Sequence, residues 1–160
     1  DVCSSDLVDR RFGTNEQFLA LVDEAHDRGI KVIMDMIHNH VGDHHWWMDD
    51  PPTDDWIHDF DTVGQTNYRG AVASDPYASA HELDQLTNGW FVPSMPDLNQ
   101  TNELLATYLI QNTLWWIEYS GIDGIRMDTY VCIRTRTTWR AGRSASSPST
   151  RRSTSSARAG

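Results

Sequence analysis

Lysine is almost absent from this sequence: Lys31 is the one lysine in 160 residues, against 23 aspartates and glutamates. All of these acids lie between Asp1 and Asp128, so this part of the chain is strongly negative. A negative surface repels the phosphates of nucleic acids, which bind to basic patches. We therefore expect a neutral or polar ligand for this part of the chain, and no nucleic acid as a partner.

Long apolar runs and disulfide-rich patterns are also missing. No segment approaches the roughly 18 apolar residues that a membrane helix needs, so we expect no membrane as a partner. Cysteine occurs twice, as Cys3 and Cys132, and two residues so placed do not indicate a disulfide framework. These features leave the localisation open.

Residues 133–160 lack acids altogether and contain seven arginines and seven serines. Such a composition is typical of disordered tails that bind nucleic acids. The genetic code offers a different explanation, namely a shift of the reading frame. Read in the frame two bases later, possible codons for residues 131–160 encode an amphipathic helix and then an apolar strand that ends in Glu. We therefore expect residues 131–160 to be an out-of-frame tail without a function of its own. Residues 1–7 resemble a translated sequencing adapter, so we expect the natural sequence to begin near Val8.

The first periodic segments predict a helix followed by a strand. Thr14 and Gln17 have the spacing of a capping box, and Gly29 is a stop signal, which together predict a helix over residues 15–28. Its apolar residues recur at helical spacing, at Phe18, Leu21, Val22 and Ala25. The apolar run "IKVIMDMI" (30–37) predicts a strand of a parallel sheet that is buried on both faces.

A second helix and strand follow a long segment without a period. Residues 39–100 are too many for an ordinary loop and predict a small inserted subdomain. Residues 102–121 have the apolar spacing of a helix that ends at Gly121, and residues 122–128 predict a second buried strand. This order is that of a βα repeat, and both a (β/α)8 barrel and a doubly wound sheet fit it.

Polar and ionisable residues stand at the carboxyl ends of both predicted strands. Asp35, Asn39 and His40 belong to the first strand end, and Arg126 and Asp128 to the second. Reactive groups of βα barrels gather at this edge of the sheet. Alternation puts Arg126 and Asp128 on one face of their strand, where an arginine lowers the pKa of a carboxylate by roughly 1–3 units and keeps a nucleophile ionised. The same pair also fits a buried ion pair that only stabilises a barrel.

Three short motifs distinguish between these interpretations. The segments "DMIHNH" (35–40), "MPDLN" (95–99) and "GIDGIRMD" (121–128) occur in this order along the chain. They resemble signature regions of the α-amylase family, glycoside hydrolase family 13. The "MPDLN" motif resembles that of the neopullulanase and cyclomaltodextrinase-like branch. The resemblance covers residues 8–130.

The resemblance implies both a fold and a reaction. The fold is a (β/α)8 barrel, of which this chain holds the third and fourth strands in two barrel segments, 8–38 and 101–130, around the inserted subdomain at 39–100. The reaction is the retaining hydrolysis of α-glucosidic bonds through a covalent glycosyl-aspartate intermediate. The implied partner is an α-glucan such as starch, a maltooligosaccharide, pullulan or a cyclodextrin. The implied chemistry requires no cofactor, and a structural calcium ion is an option.

The same resemblance assigns roles to five residues. Asp128 matches the catalytic nucleophile, and Arg126 matches the arginine that holds it ionised. His40 matches the histidine that bonds a hydroxyl of the sugar, and Asp35 matches the strand-end aspartate that supports the arginine in the substrate-binding site. Asn39 matches an asparagine that binds calcium in some members of the family.

Two other functions stay open. A catalytically silent amylase-like protein would bind a glucan without cleaving it, although Asp128 at the nucleophile position favours an enzyme. A metal-dependent barrel hydrolase would use a cluster of histidines and aspartates, namely His38, His40, His44, His45, Asp35 and Asp43.

The tryptophans and Phe91 also allow two interpretations. Trp46, Trp47, Trp90 and Phe91 either line a sugar-binding cleft or form the core of the inserted subdomain. Trp115 and Trp116 lie on the second predicted helix and are expected to pack.

The 160-residue chain as printed is expected to be inactive on α-glucans and not stably folded. A retaining hydrolase needs two carboxyl groups about 5 Å apart, and residues 133–160 contain no acid to serve as the second. Assays on soluble starch, pullulan and cyclodextrin test this expectation. The comparison is the full-length protein, meaning one in which the frame after Tyr130 is restored and both ends are extended. A monomeric, cooperatively melting 160-residue product that hydrolyses any of these glucans would contradict the prediction.

Overall fold

A computed structural model of the chain describes residues 6–132. Its strands and α-helices are α1 (Asn15–Asp27), β1 (Ile33–Met36), α2 (Phe60–Val63), α3 (Ala80–Asn88), α4 (Glu103–Ser120) and β2 (Gly124–Met127). Short 3-10 turns lie at Trp46–Met48, Gly70–Ser74 and Tyr130–Cys132. Most of the predicted adapter-derived start and nearly all of the predicted out-of-frame tail lie outside the described residues.

Strands β1 and β2 are adjacent and parallel, as predicted, although each is shorter than its apolar run. The register places Asp35 opposite Arg126. Backbone hydrogen bonds continue the pairing beyond both strand ends, from Asp123 N–H to the carbonyl of Val32 at 2.9 Å and from Asp128 N–H to the carbonyl of Met36 at 3.0 Å. The two carboxyl ends therefore meet at one edge of the sheet.

The prediction that the first strand is buried on both faces is wrong. Met36 and His38 are buried, and His38 contacts Thr113 of helix α4. On the alternate face, Ile33 is 65% exposed and Asp35 is exposed as well. The cause is that the described residues cover the sheet on one face only. The uncovered face carries the ionisable residues.

Helix α1 begins and ends where the local signals predict. Both hydrogen bonds of the capping box between Thr14 and Gln17 are present, and Gly29 has a φ of +71°, which a residue with a Cβ rarely adopts. Val22 is 1% exposed. Leu21 is 58% exposed, so the buried face of the helix is narrower than the apolar spacing indicated.

Helix α4 also has the predicted bounds. The Asn102 side chain accepts hydrogen bonds from the backbone N–H groups of Leu104 and Leu105, which have no acceptor within the first turn of the helix. Gly121 ends the helix in a left-handed conformation. Leu105 and Leu109 pack from α4 into a core whose other members are Trp47, Trp56 and Leu98. Within the described residues, no helix has the length and apolar character needed to cross a membrane.

The inserted segment, residues 39–100, is held together by short contacts rather than by a sheet. Isolated bridges join His40 to Asp97, Ile57 to Leu98, and Gln65 to Trp90. The first of these bridges ties the end of the segment to His40 near its start, four residues beyond β1. Its status as a separate subdomain stays a prediction.

Gly89→Ala is expected to destabilise the full-length protein by about 1–3 kcal/mol. A Cβ at this position would lie 2.6 Å from the carbonyl oxygen of Gln85 and 2.6 Å from the backbone nitrogen of Thr66. Neither backbone atom can move aside as a side chain can. Gly42→Ala is the matched control, because a Cβ there meets nothing within 4 Å. Equal stability of the two variants in urea or thermal unfolding would contradict the close approach at Gly89.

Candidate active site

Arg126 lies between two carboxylates at the carboxyl edge of the sheet. Its Nη1 donates a hydrogen bond to Asp35 Oδ2, and its Nη2 donates to Asp128 Oδ1 at 2.9 Å. The pKa of Arg126 is raised, first by the hydrogen bond and charge of Asp35 and then by Asp128. The guanidinium therefore stays charged and holds both carboxylates in one cluster, which combines residues of β1 and of the β2 end.

The three side chains of this cluster differ in how open they are. The exposed fraction is 60% for Arg126, 53% for Asp35 and 31% for Asp128. Asp128 is the most sheltered of the three and remains accessible. A carboxylate that reacts with a bound molecule needs this combination, because shelter orients it and access lets the molecule approach.

His40 lies beyond the end of β1, near Asp128. Burial lowers the pKa of His40, and the negative charge of Asp128 opposes that shift. The centroid of the His40 ring lies 5.7 Å from that of Phe91. A neutral imidazole beside a carboxylate and an aromatic ring can exchange a hydrogen bond with a sugar hydroxyl.

A buried carboxylate, Asp97, joins the start of the inserted segment, just beyond β1, to its middle. Asn39 Nδ2 donates to Asp97 Oδ1 at 2.8 Å, and His58 Nδ1 lies 2.7 Å from Asp97 Oδ2. Asp97 is 1% exposed and Asn39 is fully buried. Burial raises the pKa of Asp97 to about 6, and the hydrogen bonds from His58 and Asn39 oppose this rise. The carboxylate is thus enclosed by nitrogen donors.

Sequence reasoning gave a role to neither Asp97 nor His58. A signal for Asp97 was present, because an acid between the apolar residues Pro96 and Leu98 must find a partner when buried. No local pattern marks His58, which lies 39 positions away from Asp97 in the sequence.

The surroundings of Asn39 do not suit the calcium ion that its motif suggested. Calcium takes about six to eight oxygen ligands. Both carboxylate oxygens of Asp97 face nitrogen atoms, and Asn39 Oδ1 is one buried oxygen without a partner. Within residues 6–132, no group of three or more His, Cys, Asp or Glu side chains could hold a metal ion. This donor set does not fit calcium.

The remaining histidines of the metal hypothesis lie in separate surroundings. His38 Nε2 lies 3.1 Å from Thr113 Oγ1, and burial lowers the pKa of His38 to about 4. His45 Nδ1 accepts a hydrogen bond from the backbone N–H of Trp47. The side chain of His44 is 90% exposed. His38 therefore packs in the interior, His45 caps a turn, and His44 is exposed to solvent.

Most of these aromatic residues pack in the interior, and Phe91 lies at the candidate site. Trp47 and Trp90 are buried, the first in the core and the second with its Nε1 donating to the carbonyl of His58 at 2.8 Å. Trp116 is buried against Phe18 of α1, as expected for that helix. Of the four aromatic residues that sequence reasoning left open, Phe91 is the one whose ring lies beside His40.

A family model described as "Alpha amylase, catalytic domain" matches residues 1–156 of the chain. The chain belongs to the α-amylase family, glycoside hydrolase family 13. An oligo-1,6-glucosidase of Bacillus sp. (strain F5) is 34% identical over 137 residues, which cover 80% of this chain and 27% of that protein. Neopullulanase 2 of Thermoactinomyces vulgaris is 34% identical over 123 residues, which cover 76% of this chain and 20% of that protein.

The fold of this α-amylase family chain also matches solved structures. The α-amylase from Geobacillus thermoleovorans, complexed with acarbose, has a TM-score of 0.70 and 37% identity over 87% of this chain and 28% of its own. The chain thus spans between 20% and 28% of the length of these three relatives. The family predicted from the three motifs is confirmed.

For the α-glucan hydrolysis that is proposed below, Asp35→Asn is expected to lower kcat of the full-length protein by roughly tenfold to a hundredfold. The asparagine keeps the shape but removes the charge that most strongly holds Arg126, so the guanidinium moves relative to Asp128. Asp54→Asn, at an exposed position of the inserted segment, is the matched control. Steady-state kinetics measure the change. A kcat equal to that of the control would show that Arg126 does not depend on Asp35.

Proposed function

We propose that this chain is the nucleophile-bearing part of a retaining α-glucan hydrolase. The observation that supports this best is the cluster of Asp35, Arg126 and Asp128 at the carboxyl ends of two parallel strands. Membership of the α-amylase family supports the substrate class, since relatives of this chain bear the names oligo-1,6-glucosidase and neopullulanase. The substrate is an α-glucan such as starch, a maltooligosaccharide, pullulan or a cyclodextrin.

In the proposed reaction, Asp128 is the nucleophile. A carboxylate oxygen of Asp128 attacks the anomeric carbon, and the glycosidic C–O bond breaks as a second carboxyl group protonates the departing oxygen. Water then attacks the glycosyl-aspartate ester, with the second carboxylate now taking a proton from the water. Both steps are carboxylate chemistry and require no cofactor. We propose that the second carboxyl group belongs to another region of the full-length protein. That region corresponds to the part of the relatives that this chain does not cover.

The neighbours of Asp128 support the first step in different ways. Arg126 fixes the direction of the carboxylate through the 2.9 Å hydrogen bond, while Asp35 holds the arginine from the other side. His40 bonds a hydroxyl of the sugar at the cleavage point. Phe91, beside His40, offers an aromatic face to the apolar side of a sugar ring.

The proposed fold assigns β1 and β2 to the third and fourth strands of a (β/α)8 barrel. The exposed face of β1, with Ile33 at 65%, supports a barrel, because barrel interiors are filled by side chains from all strands together, and the strand numbers rest on the family resemblance. Asp35 and Arg126 belong to this face and would point into the barrel. The inserted segment would then be the subdomain that follows the third strand, above the catalytic edge.

Asp128→Asn is expected to abolish glucan hydrolysis by the full-length protein while leaving glucan binding measurable. The amide keeps the shape of the carboxylate but is a far weaker nucleophile. Reducing-sugar release from starch and pullulan measures the reaction, and calorimetry with a maltooligosaccharide measures binding. Asp59→Asn, which alters an exposed helix cap, is the control.

Two outcomes would count against this assignment. Turnover of the Asp128→Asn variant at near the parent rate would make Asp128 a structural residue. A parent protein that binds glucan but releases no product would favour the catalytically silent glucan-binding protein instead.

A further inference from the structure

The proposed reaction does not explain why the carboxylate of Asp97 is buried. It is 1% exposed, and two other parts of the chain converge on it: the stretch just after β1 through Asn39, and the middle of the inserted segment through His58. An enclosed carboxylate is unfavourable unless donors or a cation compensate its charge.

The compensation comes from nitrogen donors that the backbone sets in place. The N–H of His58 donates to the carbonyl of Asp97 at 2.9 Å, and the carbonyl of His58 accepts from Trp90 Nε1 at 2.8 Å. Both the backbone N–H and the backbone carbonyl of His58 are therefore hydrogen-bonded. The Nδ1 atom of its ring lies 2.7 Å from Asp97 Oδ2, and 15% of the His58 side chain is exposed. On the other side, the N–H of Leu98 donates to the carbonyl of Asn39 at 2.8 Å.

We propose that His58 takes the place of a cation at Asp97 and fixes the middle and the end of the inserted segment to its start, just beyond β1, without a metal ion. Calcium in this position would need oxygen ligands where the structure has the amide nitrogen of Asn39 and the ring nitrogen of His58. The contact between His58 and Asp97 also bears on the candidate site. His40 follows Asn39 in the chain, and the backbone of His40 forms a bridge with that of Asp97, so the same contact helps to position His40. The proposal concerns how the segment is held and does not depend on the reaction proposed above.

The test compares thermal unfolding of the full-length parent with two variants of His58 and one control, each after EDTA treatment and again with added calcium. His58→Ala is expected to lower Tm by several degrees, because one partner of a buried pair is removed. His58→Gln keeps an N–H donor and is expected to recover most of that loss. His44→Ala, at a side chain that is 90% exposed, is expected to leave Tm unchanged.

Calcium separates this proposal from a metal site. We expect added calcium to change Tm of the parent and of His58→Gln by the same amount, since any calcium site elsewhere in the protein contributes equally to both. A calcium-dependent rise in the parent that disappears in Asn39→Ala would overturn the proposal, because it would show a cation bound at Asp97. A Tm of His58→Ala equal to that of the parent would overturn it as well. If His58→Ala does not fold, the His58→Gln and Asn39→Ala comparisons still decide the question.

Discussion

Parallel hydrogen bonding between β1 and β2 pairs Asp35 with Arg126, and the candidate site follows from that register. A shift of one residue would move the side chains of one strand to the opposite face of the sheet. The guanidinium would then lose Asp35 and could not bridge the two carboxylates. Because the strands are parallel, both carboxyl ends lie at the same edge, so the residues just past each strand meet there.

The two ends of this small sheet use carboxylates differently. At the amino end, Asp123 accepts hydrogen bonds from the backbone of Val32 and from Lys31, and it contacts His26 of α1. These contacts lower the pKa of Asp123, and the hydrogen bond from the Val32 backbone is the largest cause. They also connect helix α1 to the amino ends of both strands. At the carboxyl end, Asp128 has one charged partner and remains open. One end is therefore closed by local bonding, while the other can receive a ligand.

The inserted segment positions Phe91 at the candidate site. Its end returns to the stretch just after β1, where Asp97 bridges to His40, and Phe91 lies beside His40. The core formed with Leu105 of α4 holds the same segment from the other side. Binding residues on irregular backbone need such anchoring, since a loop without buried contacts would not hold a ring in place. The buried polar contacts at Asp97 and the apolar core serve this purpose together.

Local signals in the sequence determined α1, α4, the two strands and the ionisable pair at the end of β2, whereas α2 and α3 within the inserted segment were not predicted. The capping box at Thr14 and the stop at Gly121 depend on residues within one helical turn, so the helix bounds could be predicted. The spacing of Arg126 and Asp128 on one strand likewise placed them on one face. The order of the three motifs was sufficient to recognise the family.

The tertiary structure decided contacts across long separations that no local pattern indicates. The bond between His58 and Asp97 joins positions 39 apart, and no pattern in the sequence predicted it. The bond between Arg126 and Asp35 joins positions 91 apart, and it was expected from the family resemblance rather than from a local pattern. No local period encodes such contacts, because they depend on how the inserted segment packs and on the strand register. The exposure of Ile33 has the same origin: an apolar run predicts a buried strand, but burial requires a second surface to cover it, and the described residues cover one face only.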